Sequence, residues 1–408
     1  MKCRHCGNPL HLPFLDLGSA PPSNAYLSAQ ALTAPETWFP LRLLVCESCW
    51  LVQTEDHAGR EALFTDDYAY FSSFSTSWLA HAQAYVRTMI ERFGLNVASR
   101  VVEIAANDGY LLQYVQSVGI PCYGVEPTAG TAAAARAKGI EIVEMFFDVA
   151  LADELANTGR QADLIAANNV LAHVPDINDF VAGFTRLLKP QGVATFEFPH
   201  LLRMVQQNQF DTAYHEHYSY LSLTAVERIF AGNGLTVFDV EELPTHGGSL
   251  RVFAQRGDTG SQAVAPSVVA LCKVEAEAGM TTAKFYSGCQ AKAEKVKDDL
   301  LAFLIEAKRQ GLKVGAYGAA AKGNTLLNFV GVRPDLLPYV VDKNPVKQGK
   351  FLPGSRIPVV DDAHLRADQP DYVLILPWNL KGEVMVQLGY VRAWVGKFVT
   401  AVPQLEVM

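Results

Sequence analysis

The sequence contains no uninterrupted run of about eighteen apolar residues, which a membrane-spanning helix would need. Its first residues, MKCRHCGNPL, lack the apolar segment of a secretory signal. It has no basic run either, and 34 Lys and Arg against 42 Asp and Glu give a net charge of −8. These absences predict a cytoplasmic protein that binds neither a membrane nor a nucleic-acid polymer. They leave the oligomeric state open, with a monomer as one option.

Apolar strand patterns alternate with helical patterns twice along the 408 residues. A helical pattern runs from Ser77 to Gly94, and a long polar helix is expected at about 274–310. The first series of strands precedes that long helix and comprises RVVEIA (100–105), CYGVE (122–126), ADLIAAN (162–168) and GVATFEF (192–198). The second series follows it and comprises KVGAYGAAAKGN (313–324), YVVDKNP (339–345) and DYVLILPWN (371–379).

This alternation predicts an α/β fold with two Rossmann-like units, each built on a doubly wound parallel sheet. We place the boundaries at 1–62 for a small N-terminal module, 63–245 for the first unit and 246–408 for the second. Residues 236–256 either complete the first sheet or connect it to the second.

Four of the seven cysteines form two closely spaced pairs, Cys3-x-x-Cys6 and Cys46-x-x-Cys49. Four thiolates close the tetrahedral shell of a structural zinc ion, so these residues predict a zinc site. The alternatives are buried free cysteines or a redox pair. The odd number of cysteines argues against a disulfide framework.

The segment VVEIAANDGYLL (101–112) ends an apolar strand in small residues and opens a helix. Small residues let a ligand approach the backbone, and a helix start offers free amides. The next strand ends in Glu126, whose carboxylate could accept hydrogen bonds from ribose hydroxyls. Because no GxGxxG loop is present, the pattern favours S-adenosylmethionine over a dinucleotide, although an ordinary strand-to-helix turn is the alternative. The cofactor-binding candidates here are Glu103, Asn107, Asp108, Gly109 and Glu126.

The strand of AANNVLAHVPD (166–176) ends in polar residues, as does that of FEFPHL (196–201). Ligands of open α/β sheets lie at the carboxyl ends of the strands, so these side chains are expected in the same cleft. Helix capping or a satisfied core position is the alternative for each. The candidates are Asn168 for the cofactor, Asn169 and His200 for the substrate, and His173.

The segment AYHEHYSYLS (213–222) concentrates protonatable groups in ten positions. An imidazole titrates near neutrality, a carboxylate can orient it, and a phenol can donate to a developing oxyanion. Tyr214, Glu216 and His217 therefore predict the abstraction of a carbon-bound proton. A metal site at HEH and a hydrogen-bonded polar loop are the alternatives.

Two further segments could contribute to the cleft. DDYAYFSSFS (66–75) carries Tyr68 and either covers the cleft or packs between domains. GAYGAAAKGNTLLN (315–328) places Lys322 at a helix start, which suits a diphosphate, and Tyr317 and Arg251 are further substrate-binding candidates. The alternative is a degenerate Rossmann unit kept for its architecture.

The combination of these motifs resembles, in order and along nearly the whole chain, the sugar C-methyltransferases of deoxysugar biosynthesis. The resemblance implies a zinc-binding domain, a central S-adenosylmethionine domain and a C-terminal domain that helps to hold a nucleotide sugar. It implies methylation at C-3 of a dTDP-linked 4-keto-6-deoxysugar. The motifs that carry it are the four cysteines, YAYFSSFS, EIAANDGYLL, ANNVLAHVPD, FEFPHL, YHEHYSYLS, GGSLRVF and GAYGAAAKGNTLLN.

The resemblance also assigns roles to residues. It places Asn169 near the sugar ketone and Lys322 at the diphosphate, and we interpret His217 as the base that Glu216 orients. One departure from the family pattern is Ala105, where a glycine is usual. The family's catalytic positions fall on Tyr68, His173, Tyr214, Glu216 and His217.

Three other hypotheses fit parts of the sequence. A methyltransferase acting on oxygen, nitrogen or a non-sugar substrate would need less proton-transfer chemistry. A zinc-ribbon binding protein with degenerate Rossmann domains would explain only the cysteines. An NAD-dependent dehydrogenase would use the C-terminal turn, but GAYGAA lacks the third glycine of the dinucleotide motif.

Overall fold

The computed structural model describes residues 1–55, 57 and 71–408, and these form three sheets. The N-terminal sheet is antiparallel and joins β1 to β2 and β2 to β3. A two-residue strand from the middle of the chain, Ser219–Tyr220, pairs with β3 and completes this sheet. The three N-terminal strands are β1 (Leu12–Ala20), β2 (Phe39–Val45) and β3 (Val52–Thr54).

The four cysteines Cys3, Cys6, Cys46 and Cys49 converge beside this sheet, with all four Sγ atoms within 4.8 Å of one another. Thiolates at about 2.3 Å from a tetrahedral zinc ion lie about 3.8 Å apart, and the Cys3–Cys49 and Cys6–Cys46 sulfur pairs are each 3.5 Å apart. The geometry therefore fits a zinc ion. Within the described residues no other cluster of His, Cys, Asp or Glu could hold a metal, which removes the metal interpretation of HEH.

The central sheet has seven strands in the order β10-β11-β8-β7-β4-β5-β6. Strands β4 to β8 run parallel, whereas β11 pairs antiparallel with β8, and β10 with β11. The order reverses direction between β4 and β7, which is where open α/β sheets bind ligands. The elements of this part are α1 (Thr76–Phe93), β4 (Val101–Ile104), α2 (Leu112–Ser117), β5 (Cys122–Val125), α3 (Ala129–Ala137), β6 (Ile142–Val143), α4 (Val149–Asn157), β7 (Ala162–Asn168), α5 (Ile177–Leu187), β8 (Leu188–Pro199), α6 (Leu201–Gln206), β9 (Ser219–Tyr220), α7 (Leu223–Gly232), β10 (Leu235–Leu243) and β11 (Ser249–Arg256).

Helix α1 shows why the local sequence forms these elements. Ser75 caps its start by accepting a hydrogen bond from the Trp78 amide, and Gly94 ends it in the left-handed conformation at φ 62°. Its buried positions recur every three or four residues, so one face packs on the sheet. The prediction of a helix from Ser77 to Gly94 is confirmed.

The central sheet extends past residue 245, because β11 (Ser249–Arg256) pairs along its length with β8 and β10. Of the two options for residues 236–256, the structure selects completion of the first sheet. We therefore propose that the second boundary lies beyond Arg256.

The C-terminal sheet has six strands in the order β14-β13-β12-β15-β16-β17, all parallel except β17. The predicted helix over 274–310 is wrong as a single element, because Gly279 and Gly288 adopt positive φ angles of 86° and 81° and interrupt it. None of the described helices is long and apolar enough to cross a bilayer. The elements are α8 (Pro266–Glu277), α9 (Ala283–Tyr286), α10 (Cys289–Arg309), β12 (Val314–Tyr317), α11 (Ala321–Val330), β13 (Val340–Val341), β14 (Val359–Val360), α12 (Asp362–Asp368), β15 (Tyr372–Ile375), α13 (Lys381–Gln387), β16 (Lys397–Thr400) and β17 (Glu406–Val407).

The N-terminal and C-terminal parts share one apolar core. Buried side chains of β1, β2 and β3 pack with those of α10, α11 and the C-terminal sheet in a continuous cluster. The Phe14 ring contacts the Tyr286 ring edge-on, with centroids 5.7 Å apart. This shared core fixes the C-terminal sheet relative to the zinc module.

The zinc site generates a first prediction. Cys46→Ala removes one of four ligands of a buried site, so bound zinc should fall from stoichiometric to a small fraction and Tm should drop by several degrees. Metal analysis and thermal unfolding measure this, with Cys272→Ser, a cysteine outside the cluster, as the control. Equal zinc content in both variants would contradict a four-cysteine site.

Candidate active site

A cavity of about 350 Å³ lies at the carboxyl ends of β4, β5 and β7. Its far wall comes from the start of α11 and from Asn24 of the N-terminal module. This volume is in the range of small-molecule sites. All three parts of the chain therefore contribute to one cavity at the direction reversal of the central sheet.

One end of the cavity is lined by Asn107, Glu126 and Asn168. The Glu126 carboxylate accepts hydrogen bonds from the backbone amides of Asn107 at 2.9 Å and Thr128 at 3.0 Å. Burial nevertheless raises the pKa of this carboxyl group. The acidic residue thus both organises the turn and faces the cavity, as a ribose acceptor would.

The residues at this end fit S-adenosylmethionine. Asn168 Oδ1 is buried and has no hydrogen-bond partner among the described residues, so it needs a donor from a ligand. The backbone approaches closely here because Ala105 and Asn107 adopt left-handed φ angles of 59° and 48°. Ala105, at the position where the family has glycine, adopts a conformation that glycine reaches at lower cost.

Three predicted cofactor residues do not line the cavity. Glu103 is fully buried beneath it, and burial raises the pKa of its carboxyl group well above the usual range. Asp108 accepts a hydrogen bond from the Ser73 amide at 3.3 Å. Gly109 has a φ of 76°, and a Cβ there would lie 2.4 Å from Ile140. Gly109 therefore shapes the turn and Asp108 holds the segment of Ser73, and none of the three residues lines the cavity where the cofactor would contact it.

The other end of the cavity is lined by His173, Tyr214 and His217. The His217 ring lies between the other two, with centroid distances of 3.9 Å to Tyr214 and 4.5 Å to His173. His217 Nδ1 is 3.1 Å from the Thr212 carbonyl oxygen, which can only accept, so Nδ1 carries the proton. The lone pair of the neutral ring is therefore on Nε2.

Burial keeps these histidines uncharged. It lowers the pKa of His217 well below the usual value, and the neighbouring His173 lowers it further. It also lowers the pKa of His173 to about 4. Both rings are therefore neutral near pH 7, the state in which an imidazole accepts a proton.

Glu216 does not orient His217, which corrects that interpretation. Its Oε1 accepts a hydrogen bond from Asn24 Nδ2 at 3.2 Å, and the Thr212 carbonyl holds the His217 ring instead. Burial raises the pKa of the Glu216 carboxyl group. His215 faces away from the cavity, with Nε2 3.2 Å from the Pro40 carbonyl oxygen.

Lys322 lines the cavity from the first turn of α11, as does Lys347 from a nearby loop. Lys322 Nζ donates to Asn379 Oδ1 at 2.9 Å and lies 4.7 Å from the centre of the Trp378 ring. Burial lowers the pKa of Lys322. The two lysines give this end of the cavity a positive character.

Three predicted substrate-binding residues lie away from the cavity. His200 pairs with the fully buried Glu275 at 2.8 Å. Arg251 pairs with Glu197 at 3.0 Å, and the Tyr317 hydroxyl accepts from Gln387 at 2.6 Å. Each of the three makes a hydrogen bond within the protein and none lines the cavity, so the geometry does not support their contact with substrate. Tyr68 lies outside the described residues.

Sequence reasoning missed two residues that line the cavity, Asn24 and His246. His246 lies in the short 3-10 helix Thr245–Gly247, with Nε2 3.3 Å from Asn169 Nδ2. The two glycines after His246 were the available signal. Asn24 has no comparable signal, because only the tertiary structure brings the N-terminal module to the cavity.

Comparisons with known proteins agree with this arrangement. Residues 3–64 match the family described as "Putative zinc binding domain", residues 78–240 match "Methyltransferase domain", and residues 244–403 match "C-methyltransferase C-terminal domain". The chain is 32% identical over 407 residues to the C-methyltransferase NovU of Streptomyces niveus, covering 100% of this chain and 96% of that protein.

Other similarities are partial. The ubiquinone biosynthesis O-methyltransferase of Azorhizobium caulinodans is 27% identical over 95 residues, which is 23% of this chain and 38% of that protein. The magnesium protoporphyrin IX methyltransferase of Synechocystis PCC 6803 with bound SAM is 14% identical, at a TM-score of 0.35, covering 50% of this chain and 100% of that one. Such slight similarities do not bear on function.

The full-length relative and the three matching domains favour carbon methylation over the oxygen, nitrogen, dehydrogenase and zinc-ribbon alternatives. The chain belongs to the S-adenosylmethionine-dependent C-methyltransferases and carries their zinc-binding N-terminal domain.

Proposed function

We propose that this enzyme methylates C-3 of a nucleotide-linked 4-keto-6-deoxysugar, with dTDP as the nucleotide, in the cytoplasm. The observation that carries this proposal is the neutral His217 ring, held by the Thr212 carbonyl with its Nε2 lone pair available in the cavity wall. A carbon next to a ketone becomes nucleophilic only after it loses a proton, and a neutral imidazole supplies the base.

His217 performs the first step in this proposal. Its Nε2 removes the proton from the carbon next to the ketone, and the electron pair of the C–H bond moves towards the ketone oxygen. S-adenosylmethionine, when bound, supplies the electrophilic methyl group on its sulfonium. The proton on His217 then passes to solvent or to a neighbouring hydroxyl group.

Tyr214 is suited to stabilise the enolate that forms. Its ring packs against His217 at 3.9 Å between centroids, and a phenol donates a hydrogen bond to an oxyanion. His173 lies on the other side of His217 and lowers its pKa, which keeps the base neutral. For Tyr68 and Glu216 a catalytic role rests on the family resemblance alone.

Lys322 and Lys347 support a nucleotide diphosphate at the cavity wall that the start of α11 and the nearby loop form. Lys322 is at the start of α11, where the amides and the helix dipole also favour an anion. Burial lowers the pKa of Lys322 and so disfavours its charge, and a diphosphate would offset that cost.

The substrate is tested by incubating the protein with S-adenosylmethionine and a panel of nucleotide-linked 4-keto-6-deoxysugars that includes dTDP-4-keto-6-deoxyglucose, followed by mass spectrometry and NMR of the product. Both C-3 and C-5 are adjacent to a C-4 ketone, so NMR must assign the methylated carbon. One added methyl on C-3 supports the proposal. Methylation on C-5 would retain the sugar but refute the position, and no methylation of any nucleotide sugar would refute the substrate class.

His217→Asn should lower kcat by roughly 10²–10⁴-fold, because it removes the general base. S-adenosylmethionine affinity, measured by calorimetry, should stay within about twofold. His215→Asn is the matched control in the same segment, since its ring hydrogen-bonds backbone carbonyls of β2. Turnover of His217→Asn near that of the wild type would refute the assignment.

The pH profile of kcat/KM tests the protonation state of the base. The pKa of His217 is lowered by burial, so the active neutral form persists below the usual histidine range. Activity should therefore fall on acidification with an apparent pKa below 6.5, the ordinary value. An acidic limb centred at or above that value would contradict a buried neutral base.

Glu126→Gln should weaken S-adenosylmethionine binding about tenfold or more, because it removes the charge that organises the turn and faces the ribose position. Calorimetry measures the change. Glu144→Gln is the control with the same chemical substitution, because Glu144 lies on the surface and forms an ion pair with Arg136. Equal affinity in both variants would exclude Glu126 from the cofactor site.

A further inference from the structure

The loop between β10 and β11 presents His246 to the cavity beside Asn169. Both residues adopt left-handed backbone conformations, with φ angles of 54° and 53°. Non-glycine residues rarely adopt this conformation, and such strain concentrates at functional sites. In the cavity wall, Asn169 Nδ2 lies 3.3 Å from His246 Nε2. The strained backbone of these two neighbouring residues requires a structural cause.

Glu197 supplies that cause by holding Asn169 and Thr245, the residue that precedes His246. Its backbone carbonyl accepts from the Asn169 amide at 2.7 Å, and its Oε1 accepts from Thr245 Oγ1 at 3.0 Å. Its Oε2 pairs with His81 at 2.8 Å and Arg251 at 3.0 Å. This buried cluster fixes the peptide of Asn169 and the loop of His246 in one arrangement.

The His246 ring is neutral in this setting. Burial lowers its pKa to about 4, and the positive charge of Lys322 contributes. A neutral Nε2 accepts a hydrogen bond from Asn169 Nδ2, which uses one of the two N–H groups of that amide. Asn169 Oδ1 is left without a partner in the described part of the chain, and a buried acceptor of this kind calls for a donor.

We propose that His246 is a positioning residue of the substrate site, which fixes the Asn169 amide so that Oδ1 accepts a hydrogen bond from a substrate hydroxyl group. A ketone oxygen cannot donate to Oδ1. Oδ1 therefore faces a hydroxyl group of the sugar, while the second N–H of Asn169 Nδ2 can donate to the ketone that the family resemblance places nearby. This assignment deepens the proposed function and rests on it for the identity of the sugar.

His246→Gln and His246→Phe test the contact as a matched pair. Glutamine keeps a hydrogen-bond acceptor at about the position of Nε2. Phenylalanine keeps an aromatic ring against Trp78, where the two ring centroids are 5.2 Å apart in the wild type, but it cannot accept a hydrogen bond from Asn169. With dTDP-4-keto-6-deoxyglucose as probe, His246→Phe should raise KM about tenfold or more with a smaller change in kcat. His246→Gln should recover most of the loss, and S-adenosylmethionine affinity should be unchanged in both.

A second variant leaves His246 in place. Thr245→Val removes the hydroxyl group that hydrogen-bonds Glu197 and leaves the pairing of Glu197 with Arg251 intact. This variant should also raise KM. Equal impairment of His246→Gln and His246→Phe would overturn the proposal, as would wild-type KM in His246→Phe or a parallel loss of cofactor affinity.

NMR separates this proposal from the proposed sugar substrate. In ¹⁵N-histidine-labelled enzyme with S-adenosylhomocysteine, the His246 signals should show a neutral ring with the proton on Nδ1, and Asn169→Ala should shift the Nε2 signal. A proton on Nε2 would overturn the amide orientation whatever the substrate is. If instead the wild type methylates no nucleotide sugar while the NMR result holds, the sugar assignment fails and the His246–Asn169 contact stands.

Discussion

The convergence of three chain segments on helix α11 is the constraint on which the site depends. Thr325 donates to the carbonyl of Ala213, Asn324 donates to the carbonyl of Ser23, and Lys322 faces the cavity from the same helix. The apolar core shared by the N-terminal and C-terminal sheets holds this helix in place. Each fully buried Leu or Phe contributes roughly 1.5–3 kcal/mol to such a core. The cavity therefore exists only when all three parts pack together.

Burial around the cavity also determines its chemistry. The pKa values of His173 and His246 fall to about 4 and that of His217 falls well below its usual value, so three imidazoles that line the cavity remain neutral. Charged rings at this spacing would repel one another in a medium of low polarity. The site thus provides a base that is ready to accept a proton, and Lys322 and Lys347 add positive charge to the cavity wall.

Local sequence patterns were sufficient for the zinc cluster, for the two Rossmann-like sheets and for part of the site. The spacing of the cysteine pairs predicted a zinc site, and the alternation of strands and helices predicted two doubly wound sheets. Strand ends pointed correctly to Glu126, Asn168 and Asn169 as residues of the cavity wall. These inferences succeed because hydrophobic periodicity and the carboxyl ends of parallel strands are fixed by local geometry.

The sequence by itself therefore determined the elements, the cysteine cluster and the strand ends that meet a ligand. The tertiary structure decided which polar side chains face the cavity: it paired His200 and Arg251 with buried carboxylates, turned Glu216 towards Asn24, and brought His246 to Asn169. The physical reason is that a buried polar group takes whichever partner the packing brings within hydrogen-bond distance. That partner is distant in sequence, so no local pattern encodes it.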